Sequence, residues 1–333
     1  MPAMRTKGYA LLNASAKCIW RQKWIIAGIT LVIILIIIAI KNIKSAPLPP
    51  RDTYHDDVWP EAYSYVMRKW FNHTGAEQWY NSEDVNMFDE RLLHVLRGHW
   101  ITKEINNTVP FPYFGYRETH EKDPSMGQAR IIRDYFNNKT NGFFIECGAY
   151  DGETRSNTWV LEKQLNWTGI LIEADPINFT KMLNKNRRAY VSPTCLSIKK
   201  YPMHVPFLMA RNIGRIHAPH KHNDPSITNS PDRAHEGMHV GVQCFPLASY
   251  IAALQIKTVD YFSLDIEGHE LDVLETIPFD RVDITTLSVE FTHVEGGKQR
   301  LIRFMEEKGY TVHGLVTNED NLANDVIFVK KSQ

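Results

Sequence analysis

Beyond Asp123 the chain alternates short apolar runs with amphipathic stretches, and nothing else in the sequence narrows its fold as much. The apolar runs fall at 142–147, 169–173, 190–196, 261–265 and 284–291, rich in β-branched and aromatic residues. Between them, 153–164, 179–187, 269–276 and 299–308 carry helical spacing. A further helix opens after Asp123-Pro and runs to about Phe136, with Ser125 as its expected N-cap. Residues 310–315 and 325–330 read as a closing hairpin. Strands this short and this apolar are buried on both faces, so the pattern predicts an α/β fold. Its sheet is expected to be mainly parallel, covered by helices on both faces and ended by an antiparallel pair.

The N-terminal third is built differently. Residues 24–40 read WIIAGITLVIILIIIAI, seventeen positions without a charge between Lys23 and Lys41. As a helix at about 1.5 Å per residue they would span about 26 Å, just under the hydrocarbon core of a bilayer. A buried core helix and a cleaved signal peptide are the alternatives. The run exceeds the roughly 7–15 residues of a signal h-region, and Pro47 spoils cleavage after Ser45-Ala46. An uncleaved single-pass anchor is therefore expected. Arg5, Lys7, Lys17, Arg21 and Lys23 precede it, against Lys41, Lys44 and Arg51 after it, which favours a cytosolic N-terminus.

Five glycosylation sequons follow the run, at Asn72, Asn106, Asn138, Asn166 and Asn178, and they agree with a luminal body. The expected location is a membrane of the secretory pathway: endoplasmic reticulum, Golgi, endosome or plasma membrane. The organisation expected is a cytosolic tail (1–23), a transmembrane signal anchor (24–40), a stem with a helical extension (41–123) and one catalytic-type domain (124–333). Residues 211–243 would form a loop-like insert in that domain. It holds His217, His220, His222, His235 and His239 without the Cys or Asp spacing of a zinc site.

Lys plus Arg and Asp plus Glu both count 38, so no basic footprint for a nucleic acid exists. The four cysteines contain no CxxC pair. Cys18 falls on the cytosolic side, as a palmitoylation candidate or a plain thiol. Cys195 and Cys244 flank the insert on segments that should meet at one sheet edge, so they are the expected disulfide, with Cys147 left as a buried thiol.

In an open parallel sheet a ligand sits beyond the carboxyl ends of the strands. The first such end reads Glu146-Cys-Gly148-Ala-Tyr-Asp151-Gly152-Glu153, and the second Glu173-Ala-Asp175-Pro176. A carboxylate at the second position can accept both hydroxyls of a ribose. There is neither a GxGxxG nor a GK[ST] to cradle phosphates. Acids in the first turn would repel a pyrophosphate and suit a cation, and S-adenosylmethionine, with its sulfonium, ammonium and ribose, fits that set. Further along lie Asp265-Ile-Glu267-Gly268-His-Glu270 and Glu290-Phe-Thr-His293. Asp265, Glu267 and Glu290 are the candidate catalytic acids. They could orient an acceptor, serve as a general base or hold a divalent metal, or instead cap helices and pair with Arg281 or Lys298. No metal ligand set is assigned.

The blocks FFIECGAYDGE (143–153), LIEADP (171–176), VDYFSLDIEGHELDVL (259–274) and TLSVEF (286–291) resemble the FkbM-type methyltransferase family. The resemblance covers about residues 126–330. It implies a Rossmann-like, seven-stranded S-adenosylmethionine-binding sheet and O-methylation of small molecules or glycans. By position, Glu146, Gly148, Asp151, Glu173 and Asp175 would hold the cofactor. PSMGQ (124–128), GETRSNT (152–158) and TIPFDRVDITTLSVEF (276–291) are similar to the animal Star-like type II membrane proteins of that family. That likeness implies a different role, escort of a secretory cargo protein, a membrane-bound growth-factor precursor, from endoplasmic reticulum to Golgi.

Overall fold

Short β-branched and aromatic runs form the centre of the fold because only a sheet covered on both faces can bury them. The computed structural model describes residues 60–72, 78–102, 123–185, 187–217, 238–317 and 323–331. The expected anchor, the stem up to residue 59, Asn106 and His220, His222 and His235 lie outside the described residues. Among the described residues no helix is long and apolar enough to cross a membrane.

The chain runs through helices α1 (Pro60–Val66), α2 (Glu90–Val95) and α3 (Gln128–Tyr135), then β1 (Phe143–Cys147), α4 (Trp159–Leu165), β2 (Thr168–Ile172), α5 (Pro176–Leu183) and β3 (Tyr190–Ser192). It continues with β4 (Cys195–Leu196), β5 (Met203–Met209), β6 (Arg215–Ile216), β7 (Met238–Phe245), α6 (Leu247–Ala253) and β8 (Thr258–Leu264). Helix α7 (Glu270–Thr276), β9 (Asp283–Glu290), α8 (Gly297–Glu307), β10 (Tyr310–Thr317) and β11 (Asn324–Lys330) close the fold.

The main sheet has the order β10-β11-β9-β8-β1-β2-β3. Strands β9, β8, β1, β2 and β3 are mutually parallel, while β11 runs antiparallel to β9 and β10 to β11. From β1 the chain steps outward to β2 and β3, then returns to place β8 on the other side of β1. The order therefore reverses between β1 and β8, where the carboxyl ends of the strands open a crevice.

Three expectations change. The helix over 153–164 begins only at Trp159. Gly152 and Arg155 take left-handed φ values of 76° and 59°, which no helix continues. The strand over 190–196 breaks at Pro193 into β3 and β4, which belong to different sheets; a proline cannot donate to a ladder. Of the insert over 211–243, the described residues 211–217 and 238–243 hold strand structure. Strand β7 pairs antiparallel with β5 along its length, and a second sheet, β4-β7-β5-β6, results. Cys195 lies opposite Cys244 in the parallel β4–β7 pair, and a disulfide joins them with Cα atoms 4.3 Å apart. Cys147 is a buried free thiol.

The helical extension is packed onto the body of the domain. Trp70 stands edge-on to Phe179 of α5 at 5.5 Å, and Tyr80 and Trp100 lie 5.8 and 5.7 Å from Phe245. Asn81 and Gln243 exchange side-chain hydrogen bonds of 2.9 and 2.7 Å. Thr102 bridges Val191 of β3 through two backbone bonds, which occupies the exposed edge of the main sheet.

Candidate active site

At the reversal point the backbones of β1 and β8 come close together. Asp265 N donates to Cys147 O at 3.2 Å, and a Cβ on Gly148 would sit 1.8 Å from Asp265 O. With φ at 77° as well, that position takes glycine alone. The carboxyl ends of β1, β2 and β8 open into a cavity. Gly148 and Tyr150 line it from β1, Glu173 and Asn178 from β2 and α5, and Asp265 and Glu267 from β8. The far wall comes from the second sheet through Phe207, Asn212, Gly214 and Ile216. Two non-glycine residues on the wall, Tyr150 and Glu267, hold left-handed φ of 51° and 60°. Such conformations persist where the surroundings impose them, as at ligand sites.

Among the described residues the charged ones lining the cavity are Glu173, Asp265 and Glu267, all acids. Glu173 is 6% exposed, and its two oxygens accept the backbone N–H groups of Tyr150 at 2.7 Å and Asp175 at 2.8 Å. Burial first, and Asp175 second, push its carboxyl up to about 8 against these hydrogen bonds. The Asn178 side chain hydrogen-bonds to the same carboxyl, which leaves one lone pair for an incoming hydroxyl.

Asp265 begins a larger acid cluster. Its carboxyl is pushed well above the ordinary range by loss of hydration, then by Glu267, Asp325 and Glu270. Glu290 is raised in the same way by burial and then by Asp265 and Glu267. Glu270, fully buried, accepts from Ile266 N and Gly268 N. Burial also lifts Asp325 to about 6. His293 Nε2 lies 3.0 Å from Glu267 Oε2 and 3.8 Å from Glu290 Oε1.

Three of the acids expected at the cofactor are spent on folding instead. Glu146 is turned away from the cavity and accepts from Ser156 Oγ (2.8 Å), Asn157 N (2.7 Å) and Thr158 Oγ1. Burial raises its carboxyl, and Arg187 opposes the shift. Asp151 caps its own turn through the amides of Glu153 and Thr154 and pairs with Lys185 at 3.4 Å. Asp175, fully buried, is the N-cap of α5, accepting from Ile177 N and Asn178 N. A carboxylate at a strand end has two places to go, the crevice or the next helix start, and sequence does not say which.

The residue that sequence reasoning missed here is Arg187. Its guanidinium pairs with Glu162 at 3.0 Å, with both side chains buried. It also donates to Gly152 O, to Ser156 Oγ at 3.2 Å and to Thr158 Oγ1 at 2.9 Å. It pins the loop between β1 and α4 and, through it, the Gly148–Tyr150 wall.

A sequence model of the methyltransferase FkbM domain matches residues 146–312, half of the chain. The chain belongs to the FkbM methyltransferase domain family. The match starts near the end of β1 and ends in β10, so the cavity, the second sheet and every acid of the cluster but Asp325 lie within the FkbM domain. The packed helical extension precedes it. A comparison with curated proteins finds no match.

Among the sequons, Asn72, Asn138 and Asn166 are exposed. Asn178 is 2% exposed within α5 and lines the cavity, so a glycan there would require the helix to come apart, and that position is withdrawn.

Proposed function

We propose that this FkbM-domain protein is an S-adenosylmethionine-dependent O-methyltransferase acting on a glycan or other hydroxyl acceptor in the lumen of the secretory pathway. The observation that carries the reading is a cavity at the β1/β8 reversal whose charged lining, among the described residues, is acidic, with Glu173 at the end of β2. When bound, S-adenosylmethionine supplies an electrophilic methyl group on a cationic sulfur. Glu173 would accept a ribose hydroxyl at the lone pair that Tyr150, Asp175 and Asn178 leave open. Gly148 lets the turn backbone approach the methionine end. Asp265, on the opposite strand end, is placed to take the proton of an acceptor hydroxyl. Holding donor and acceptor together between β1 and β8 would supply most of the acceleration.

The luminal setting draws on the apolar run at 24–40, on exposed sequons at Asn72, Asn138 and Asn166, and on the Cys195–Cys244 disulfide. Disulfides of this kind persist in oxidising compartments. Calorimetric titration of the full chain with S-adenosylmethionine tests the reading, followed by methyl transfer onto microsomal glycans. Glu173→Ala should weaken cofactor binding by up to about tenfold, the loss of a hydrogen bond to the ribose. A parent chain that binds no S-adenosylmethionine would end it and leave the Star-like escort role, with secretory cargo as the partner, as the account of the same anchor and sequons.

A further inference from the structure

We propose that Glu267, Glu290 and His293 form a site for one divalent cation of the Mn²⁺ class, at the edge of the cavity. One ligand atom from each lies within 4.8 Å of the other two. Ions of this class take oxygen and nitrogen ligands at about 2.0–2.4 Å, so ligands across one ion stand up to about 4.8 Å apart. The three therefore fit a single coordination sphere. Asp265, Glu270 and Glu290 meet the same limit and share Glu290.

Charge points the same way. Five carboxyl groups gather here, from Asp265, Glu267, Glu270, Glu290 and Asp325. Among the described residues no Lys or Arg pairs with any of them, and His293 is the one basic side chain in contact. Compact clusters of carboxyls without a cation are costly to bury.

An independent observation concerns unsatisfied atoms. Glu290 Oε2 is buried and accepts no hydrogen bond. Thr292 Oγ1, between Glu290 and His293 in the chain, is in the same condition. So is Gln128 Oε1, on a residue 4% exposed whose amide nitrogen donates to Asp325 at 2.8 Å. Asp325 is the register partner of Glu290 across β11 and β9. Buried oxygens lacking a donor are rare in folded proteins and gather where a ligand belongs. A cation supplies what Glu290 Oε2 lacks.

Two carboxylates and one imidazole favour a borderline ion, and the imidazole selects Mn²⁺ over Mg²⁺ and Ca²⁺, which prefer oxygen ligands alone. Because Glu267 and Asp265 line the cavity, the open coordination positions face it. An acceptor with vicinal hydroxyls, as a sugar carries, could chelate there. That last step rests on the methyltransferase reading, and the ion site itself does not.

The test uses the full chain in detergent, stripped with EDTA and titrated with Mn²⁺ without cofactor, the bound ion being counted by electron paramagnetic resonance. The expected result is one Mn²⁺ per chain, with at least tenfold weaker binding in Glu290→Gln and in His293→Ala. Asp283→Asn, at the opposite end of β9 beside Lys330, should bind as the parent does. Metal-free Glu290→Gln should melt no lower than the parent, since it removes a repelled carboxyl, and this separates ligand loss from misfolding. Absence of saturable Mn²⁺ binding in the parent overturns the site, as does equal affinity in all three variants. S-adenosylmethionine binding measured in EDTA keeps the two proposals apart. Cofactor without Mn²⁺ ends the ion site alone, and Mn²⁺ without cofactor ends the methyltransferase reading alone.

Discussion

Replacing Glu173 by glutamine tests whether a buried acid faces the cofactor cavity with its proton still on. In the folded chain this carboxyl holds its proton to about 8, against an ordinary 4.5. Between those values the native state binds a proton that the unfolded state has released, so stability falls as pH rises across that window. At roughly 1.4 kcal/mol per pH unit the loss reaches roughly 5 kcal/mol by pH 8 and stays level above it. Glutamine never ionises. Its amide oxygen can keep one of the two backbone bonds, from Tyr150 or Asp175, while its NH₂ faces the other donor, at a cost of about 1–3 kcal/mol. The variant should therefore be less stable than the parent near pH 5 and equal or more stable by pH 8–9. Thermal unfolding of both chains at unit steps from pH 5 to 9, followed by near-ultraviolet circular dichroism, reads the crossing. A difference in melting temperature that stays constant across that range would refute the buried, protonated Glu173.

Arg187→Met should cost about 3–5 kcal/mol in denaturant unfolding, because it leaves the Glu162 carboxylate buried without its partner. Equal stability would remove Arg187 as the pin of the loop between β1 and α4. Cys195→Ser with Cys244→Ser opens a link across 49 residues and should lower stability by roughly 4 kcal/mol; an unchanged melting temperature would contradict a formed bridge. Removing single sequons should shift the mass of the endoglycosidase-sensitive protein for Asn72→Gln, Asn138→Gln and Asn166→Gln. Asn178→Gln should not, and a glycan found at Asn178 would mean that α5 is modified before it folds.

The strands of the main sheet were legible because each is a run of β-branched and aromatic residues whose burial on both faces leaves no other structure open to it. Gly148, Glu173, Asp265 and Glu267 were legible for a topological reason: parallel strands send the residues that follow them to one edge of the sheet. The apolar run at 24–40 is likewise a statement about transfer from water to hydrocarbon that sequence makes alone. Tertiary structure decided how the remaining carboxylates are spent. Glu146 and Asp175 sit at strand ends just as Glu173 does, yet backbone amides and hydroxyls of the following segments claim them, through contacts that no local pattern encodes. It also decided the second sheet. Pro206 inside β5 speaks against a strand, and its partner Gly241 lies beyond a long excursion of chain, so only the closed fold shows that β7 returns to pair with it. Asn178 carries a proper sequon, and α5 buries it: a three-residue motif records which atoms are present, while whether an enzyme can reach them depends on what packs above.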